Sequence, residues 1–551
     1  MNNEKLTQNS PCADIILYNG KIVTVDKEFS IAQAVAIEGN TIVAVGNDQD
    51  MNSFKGLKTQ IINLQGKTVI PGLIDSHIHG SLCAKEINNF SLSKVRSIDE
   101  LLKAVEDCIR VNEPGKWIVS SSAWHESQLV ENRFPTRWEL DTVSPNNPVM
   151  IPRGGHVLVA NSKALELANI TKDTINPDRG IIIKDTETKE PTGVLLENAT
   201  SIVRALIPNF TEDELIQNVA DFMEEMNCYG ITGMTDAWAS DSDIDVYLKL
   251  NEDKKITVRT QALYAVMNLE EASHAVSKYR LLEGDDYFSI GGIKTLADGG
   301  VEAAWMKEPY EIVAGMQLDP EYRGIQIYEG EARKKEFMDI LKLVAENGLQ
   351  IQVHVGGDAA IEFVVNSYEE INEVISIKDL RWIVMHVMYP TKESLNKIKK
   401  LDVFTTVQNH PYLLGKNMKS FWGERRTNSA IPIRTMLDKG IVIGGGTDAP
   451  VVPWNPFISI SWMVTRCTVN GEVQGIDESI SREKALYLWT MGSAYTQGSE
   501  NKIGSIEQGK LADLVVISKD LLTIPVEAIE SIEAITTIVG GKIVYQSDKR
   551  K

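Results

Sequence analysis

His77 and His79 stand two apart in Pro-Gly-Leu-Ile-Asp-Ser-His-Ile-His-Gly, residues 71–80, at the end of an apolar run that begins at Thr68. In a β-strand, positions i and i+2 share a face, so both imidazoles can converge on one metal ion. The chain has eight histidines, and two more close β-like apolar runs: His354 in Leu-Gln-Ile-Gln-Val-His and His386 in Arg-Trp-Ile-Val-Met-His. A lone strand-end histidine is usually a hydrogen-bonded scaffold residue; three separate occurrences, one of them paired, point to a metal centre. Lys294 and Asp298 follow another such run in Gly-Ile-Lys-Thr-Leu-Ala-Asp-Gly-Gly, and Asp448 follows a glycine run in Ile-Gly-Gly-Gly-Thr-Asp-Ala-Pro. An aspartate there is locally an ordinary turn residue. It gains a chemical role if the strand ends are brought to one place.

The elements that could do so alternate along the chain. Short β-rich runs interleave with amphipathic helices, the pattern of a parallel sheet with crossover helices. Candidate strands are 67–74, 230–237, 257–264, 289–296, 349–354, 382–386, 404–408 and 441–445, the number a closed barrel needs, with every strand end at one mouth. Leu215, Val219, Phe222, Met223 and Met226 follow helical spacing, as do Phe337, Ile340, Leu341 and Val344 before Gly348. Residues 96–205 exceed a minimal barrel and read as an insertion at the rim of the first strand. The two ends share a texture: 14–26 and 532–546 each place a turn, N-G-K or G-G-K, between β-branched runs and read as hairpins. With 34–45 and 510–518 they predict a small β-sandwich built from both termini. The expected divisions are 13–69 and 500–547 for that sandwich, 70–95 for the barrel start, 96–205 for the substrate-side insertion and 206–499 for the rest of the barrel.

Length and charge narrow the function. A chain of 551 residues holds more than one simple core. Its 56 Lys plus Arg against 76 Asp plus Glu give a formal charge of −20, which argues against nucleic acid or an anionic membrane as partner. No apolar leader or membrane-length segment is evident, so the expected location is cytoplasmic. Five scattered cysteines without a C-x-x-C pair read as reduced, mostly buried thiols.

His77, His79, His354, His386 and Asp448, in that order, resemble the amidohydrolase superfamily, as do Asn-Gly-Lys-Ile-Val-Thr-Val-Asp at 19–26 and Gly-Ser-Ile-Glu-Gln-Gly-Lys-Leu-Ala-Asp-Leu-Val-Val-Ile at 504–517. Residues 153–164, 191–197 and 293–299 are similar to the branch that contains the N-substituted formamide deformylases. The resemblance implies a distorted (β/α)8 TIM barrel, of class α/β, that holds one or two divalent metals, with zinc the first expectation. It implies His77, His79, His354, His386 and Asp448 as ligands, and an attacking water activated by the metal. Lys294 would join them as a carbamate, since a neutral amine captures CO2 and the resulting anion can bridge two metals. Asp448 would act as base and then acid, and His386 as a ligand or an oxyanion stabiliser.

Trp124, His125, Arg153, His156, Asp298, Trp305 and His410 are the candidate substrate contacts, with Arg153 and His156 able to bind a carbonyl or an anionic group. The expected partner is a small amide-like molecule, an N-formyl or N-acyl compound, with a homodimer left open. A deaminase or cyclic-amide hydrolase is the rival within the chemistry. A catalytically silent binding barrel is the rival from another class.

Overall fold

The computed structural model describes residues 12–155, 157–177, 180–311 and 320–547. Eight parallel strands form one sheet in chain order: β1 (Leu73–Ile78), β2 (Ile231–Ala239), β3 (Arg259–Ala265), β4 (Phe288–Leu296), β5 (Gln350–Val355), β6 (Ile383–His386), β7 (Phe404–Gln408) and β8 (Ile443–Gly446). Burial on both faces explains their near-continuous apolar character. Helices such as Glu212–Cys228 and Gly330–Glu346 pack their apolar stripes, Phe222, Met223 and Met226 in one and Phe337, Ile340 and Leu341 in the other, into a single core with the strands. The fold is the distorted (β/α)8 barrel of the α/β class.

The first candidate strand divides in two. Thr68–Pro71 belongs to a six-stranded sheet of the terminal unit, and β1 starts beyond Gly72, where a Cβ would strike the Thr232 side chain. One uninterrupted apolar run therefore serves two sheets. The eight-stranded sheet closes without a ladder between β8 and β1. Thr447 donates to Asp75 from its backbone N–H (3.1 Å) and its hydroxyl (2.7 Å), Ser76 donates to the Gly445 carbonyl (2.9 Å), and the Asp448 N–H donates to the His77 carbonyl (2.7 Å). The glycine run makes this seam possible: a Cβ on Gly446 would lie 2.8 Å from the His77 nitrogen, and one on Gly444 2.8 Å from Ser76. Burial pushes the Asp75 carboxyl up to about 7, against its hydrogen bonds from Thr447 and His77.

Between β1 and β2 the chain builds a separate five-stranded sheet from Ile118–Val119, Val149–Arg153, Val157–Ala160, Gly180–Lys184 and Pro191–Glu197. This is the inserted segment, with its own apolar core around Leu101, Trp124, Val149 and Val159. The terminal unit packs a four-stranded N-terminal sheet against the six-stranded one, in which Thr68–Pro71 pairs with Leu514–Ile517 from the other end of the chain.

One of the two expected hairpins is absent. Ile15–Tyr18 and Lys21–Val23 join different sheets, because a two-residue hairpin of this kind needs positive φ at both turn positions and only Asn19 (φ 57°) has it. At the other end Gly540 and Gly541 have φ of 54° and 72°, and Ala534–Val539 does pair with Lys542–Gln546. Among the described residues no helix is long and apolar enough to cross a membrane.

A buried ion pair couples the barrel to the terminal unit. Arg259, at the start of β3, donates from Nε (2.7 Å) and Nη2 (2.9 Å) to Asp513, and both residues are almost fully enclosed. Arg259→Ala strands a buried carboxylate, so it is expected to cost about 3–5 kcal/mol. Denaturant unfolding would show this as a lower midpoint, and a midpoint equal to wild type would refute the coupling.

Candidate metal centre

The C-terminal ends of the strands bring five of the eight histidines together. His77 lies on β1 and His79 just past it, His354 on β5, His386 at the last position of β6, and His410 opens the helix His410–Asn428 two residues after β7. Ring centroids are 4.6 Å apart for His77 and His386, 4.5 Å for His354 and His386, and 5.2 Å for His386 and His410. Asp448, two residues past β8, faces this group. Its Oδ1 lies 3.0 Å from Nε2 of both His77 and His79, and its Oδ2 2.8 Å from Nε2 of His410.

The contacts at Oδ1 are close, yet among the described residues this buried oxygen has no donor in well-aligned hydrogen-bonding geometry. Two imidazole nitrogens each 3.0 Å from one carboxylate oxygen form an arrangement that suits ligands around a cation. His77, His79 and Asp448 form one such trio and His386, His410 and Asp448 another, with ligand atoms within 4.8 Å of one another. Oxygen and imidazole donors that leave positions open suit a catalytic divalent ion. Burial drives the imidazoles of His77 and His354 down to about 3 and that of His386 well below its ordinary value, so their lone pairs are available at neutral pH. Burial works to raise the Asp448 carboxyl, but facing His77 and the hydrogen bond from His410 outweigh it and hold it well below the usual range.

Lys294, on β4, is wholly buried, and among the described residues the one hydrogen-bonding contact of its Nζ is Met385 Sδ at 2.6 Å. No carboxylate pairs with it among the described residues, which disfavours the ordinary salt bridge that a lysine at this position would otherwise make. Burial pushes its ammonium down to about 7, with Asp448 acting in the opposite direction.

Gln408 gave no signal in the sequence, because a glutamine ending a strand carries no motif. Its Oε1 lies 2.6 Å from His386 Nδ1. The amide oxygen can only accept, so Nδ1 carries the proton and Nε2 offers its lone pair. The backbone here is held unusually: His386, Val387 and Asp448 have φ of 69°, 44° and 63°, left-handed values that cost non-glycine residues of order 1–3 kcal/mol each.

The other candidates are dispersed. Asp298 is fully enclosed, accepting from the N–H groups of Trp305 (2.9 Å), Gly356 (2.9 Å) and Gly357 (2.8 Å); it lies behind the cluster, 3.5 Å from His354 Nε2, and burial raises it to about 7. Trp305 packs against Phe363. Trp124 sits in the core of the insertion and donates to the Pro152 carbonyl at 2.7 Å. His125 and Arg153 are in the insertion, Arg153 bound to Glu126 and Glu302. His156 lies outside the described residues.

Comparison with known proteins identifies the family and the fold. A family model described as "Amidohydrolase family" matches residues 60–545. The chain is 28% identical over 549 residues to an N-substituted formamide deformylase of Arthrobacter pascens, covering 97% of this chain and 98% of the relative. It is 27% identical over 545 residues to the putative amidohydrolase YtcJ of Bacillus subtilis (strain 168), covering 96% and 99%. The fold is similar to that of an uncharacterized metal-dependent hydrolase from Pyrococcus furiosus, with a TM-score of 0.70, 24% identity and coverage of 92% and 100%. The chain belongs to the amidohydrolase family and is a hydrolase.

Proposed function

We propose that this hydrolase cleaves the carbon–nitrogen bond of a linear, non-peptide amide, an N-formyl or N-acyl compound, with Asp448 as general base and acid. Water adds across that bond, its hydroxyl to the acyl carbon and its proton to nitrogen, releasing a carboxylic acid and an amine. The observation that carries this reading is the convergence of His77 and His79 Nε2 on one donor-free oxygen of Asp448. The near-full-length similarity to a formamide deformylase supports the substrate class.

His77, His79, His354, His386 and Asp448 are the residues that would hold a divalent cation, zinc by the chemistry of the donors, with carbamylated Lys294 as a further ligand. When bound, such an ion polarises a carbonyl and lowers the pKa of water from about 15.7 towards 7. Asp448, ionised and in contact with three imidazoles, is placed to take the proton of the attacking water and return it to the leaving nitrogen. Neutral His386 acts as a ligand and not as an oxyanion donor, since its proton faces Gln408. Gln408→Leu removes that orientation and is expected to weaken metal binding about 10–100-fold, read by chelator competition on the folded protein. Unchanged affinity would rule the role out.

The test of the reading is turnover by the metal-loaded protein. N-substituted formamides are expected to release formate and amine, with aminated heterocycles inert. Ammonia from the heterocycles and none from the amides would make the protein a deaminase. Metal counts settle Lys294: two ions per chain in bicarbonate, falling to one in Lys294→Ala, is the carbamate result, and one ion in both proteins excludes it.

A further inference from the structure

A second polar constellation is drawn from three separate stretches of chain. His125, Glu126 and Arg153 come from the insertion, Glu302 from the loop after β4, and Asn417 from the helix that begins at His410. Arg153 donates from Nε (3.0 Å) and Nη2 (3.1 Å) to Glu126 and from Nη1 (3.2 Å) to Glu302 Oε1, which also accepts from Asn417 at 2.7 Å. Asn417 and His410 share a helix face two turns apart, so their backbones are separated by roughly 10 Å. The Ser127 hydroxyl lies 3.3 Å from the Leu413 carbonyl in the first turn of that helix, which packs the two groups together. The constellation is thus a fixed distance from the candidate metal ligands.

Its charge and its free valence both point to a ligand. Two carboxylates face one guanidinium, a formal balance of −1 among the described residues. Burial works to raise Glu302, but Arg153 holds it below its ordinary value, so it stays ionised while remaining partly exposed. His125 is 1% exposed and kept neutral by burial and then by Arg153. The Ser127 hydroxyl (2.8 Å) and backbone N–H (3.1 Å) both donate to its Nδ1, so the ring proton sits on Nε2. That buried N–H has no hydrogen-bond partner among the described residues, and a native interior rarely leaves such a donor unmet without a reason. Arg153 does not stand ready for an anionic substrate, because its fork is already filled by Glu126.

We propose that this constellation selects the substrate: an amide whose amine portion ends in a positively charged group seated against Glu302 and Glu126, with an acceptor atom of the same molecule on His125 Nε2. The inference rests on the amide-hydrolase reading above and adds the substrate's charge to it. A carboxylate in the same position meets net negative charge and no free guanidinium.

Three matched N-formyl compounds test it: a monoformylated α,ω-diamine, an N-alkylformamide and an N-formyl ω-amino acid, each with the metal-loaded protein. The expected kcat/KM is highest for the cation and exceeds that for the anion at least about tenfold, the ratio a single charge contact of about 1.4 kcal/mol supplies. E302Q brings the ratio close to one, Glu302→Asp keeps the order, and Glu126→Gln moves it as E302Q does. An anion turned over as well as the cation, or a ratio that E302Q leaves intact, overturns the proposal. Should no formamide react at all, the amide reading falls, and calorimetry with the free diamine decides this one separately. Binding that weakens at least about tenfold in E302Q upholds it, and absent or equal binding overturns it.

Discussion

Asp448→Asn is expected to lower kcat by roughly 10³-fold or more while much of the bound metal remains, a size set by what a positioned acid–base group contributes. The asparagine keeps the shape and one oxygen, so the imidazoles retain a neighbour. It loses the charge that accepts a proton, and its amide nitrogen cannot replace that function. Asp448 touches His77, His79 and His410 at once, which makes it the residue where a change of charge without a change of volume should be most visible. Activity assays beside elemental analysis of the same sample give the answer. A variant with wild-type turnover would remove Asp448 from the mechanism, and one that has lost all its metal would make it chiefly a ligand.

Stripping the protein with a strong chelator is expected to abolish amide hydrolysis to the background of free water, and a divalent metal added back should restore it. Neutral, buried imidazoles cannot by themselves make water nucleophilic near pH 7, and no serine or cysteine nucleophile accompanies them among the described residues of the cluster. The stripped protein should also melt at a lower temperature, because a ligand that binds only the native state stabilises it by mass action. Retained activity after complete removal of metal, verified by elemental analysis, would defeat the mechanism. A His77→Ala variant provides the same test without chelator, with metal content expected to fall together with turnover.

Much of this architecture could be read from residue order. Seven of the eight barrel strands lie where apolar runs and their bounding turns place them, because strands buried on both faces must be apolar throughout; the first begins only at Leu73, near the end of its expected run. The same property hid the division of the run from Thr68, since an apolar strand looks alike whichever sheet it joins. The Asn19-Gly20 turn misled for a local reason: its residues can form a tight hairpin, yet the chain uses them to pass between sheets. At the site, histidines at strand ends announce themselves through rarity. Gln408 and Glu302 do not, since a polar residue at a loop or strand end has many ordinary uses and only the fold shows which neighbour it meets. Arg153 illustrates the opposite error: its chemistry suggested an anion receptor, and Glu126 already occupies it.

The closure between β8 and β1 has a consequence for how the protein comes into being. His77 and His79 leave the ribosome hundreds of residues before Asp448, and no ladder of main-chain bonds links the two strands that carry them. During synthesis the early pair has no carboxylate opposite it, so the nascent chain cannot grip an ion firmly until its last barrel strand arrives. A cation held by His77, His79 and Asp448 would then work as a clasp, fastening first and last turns of the ring, and a chain cut short before Asp448 would lack both that seam and that grip.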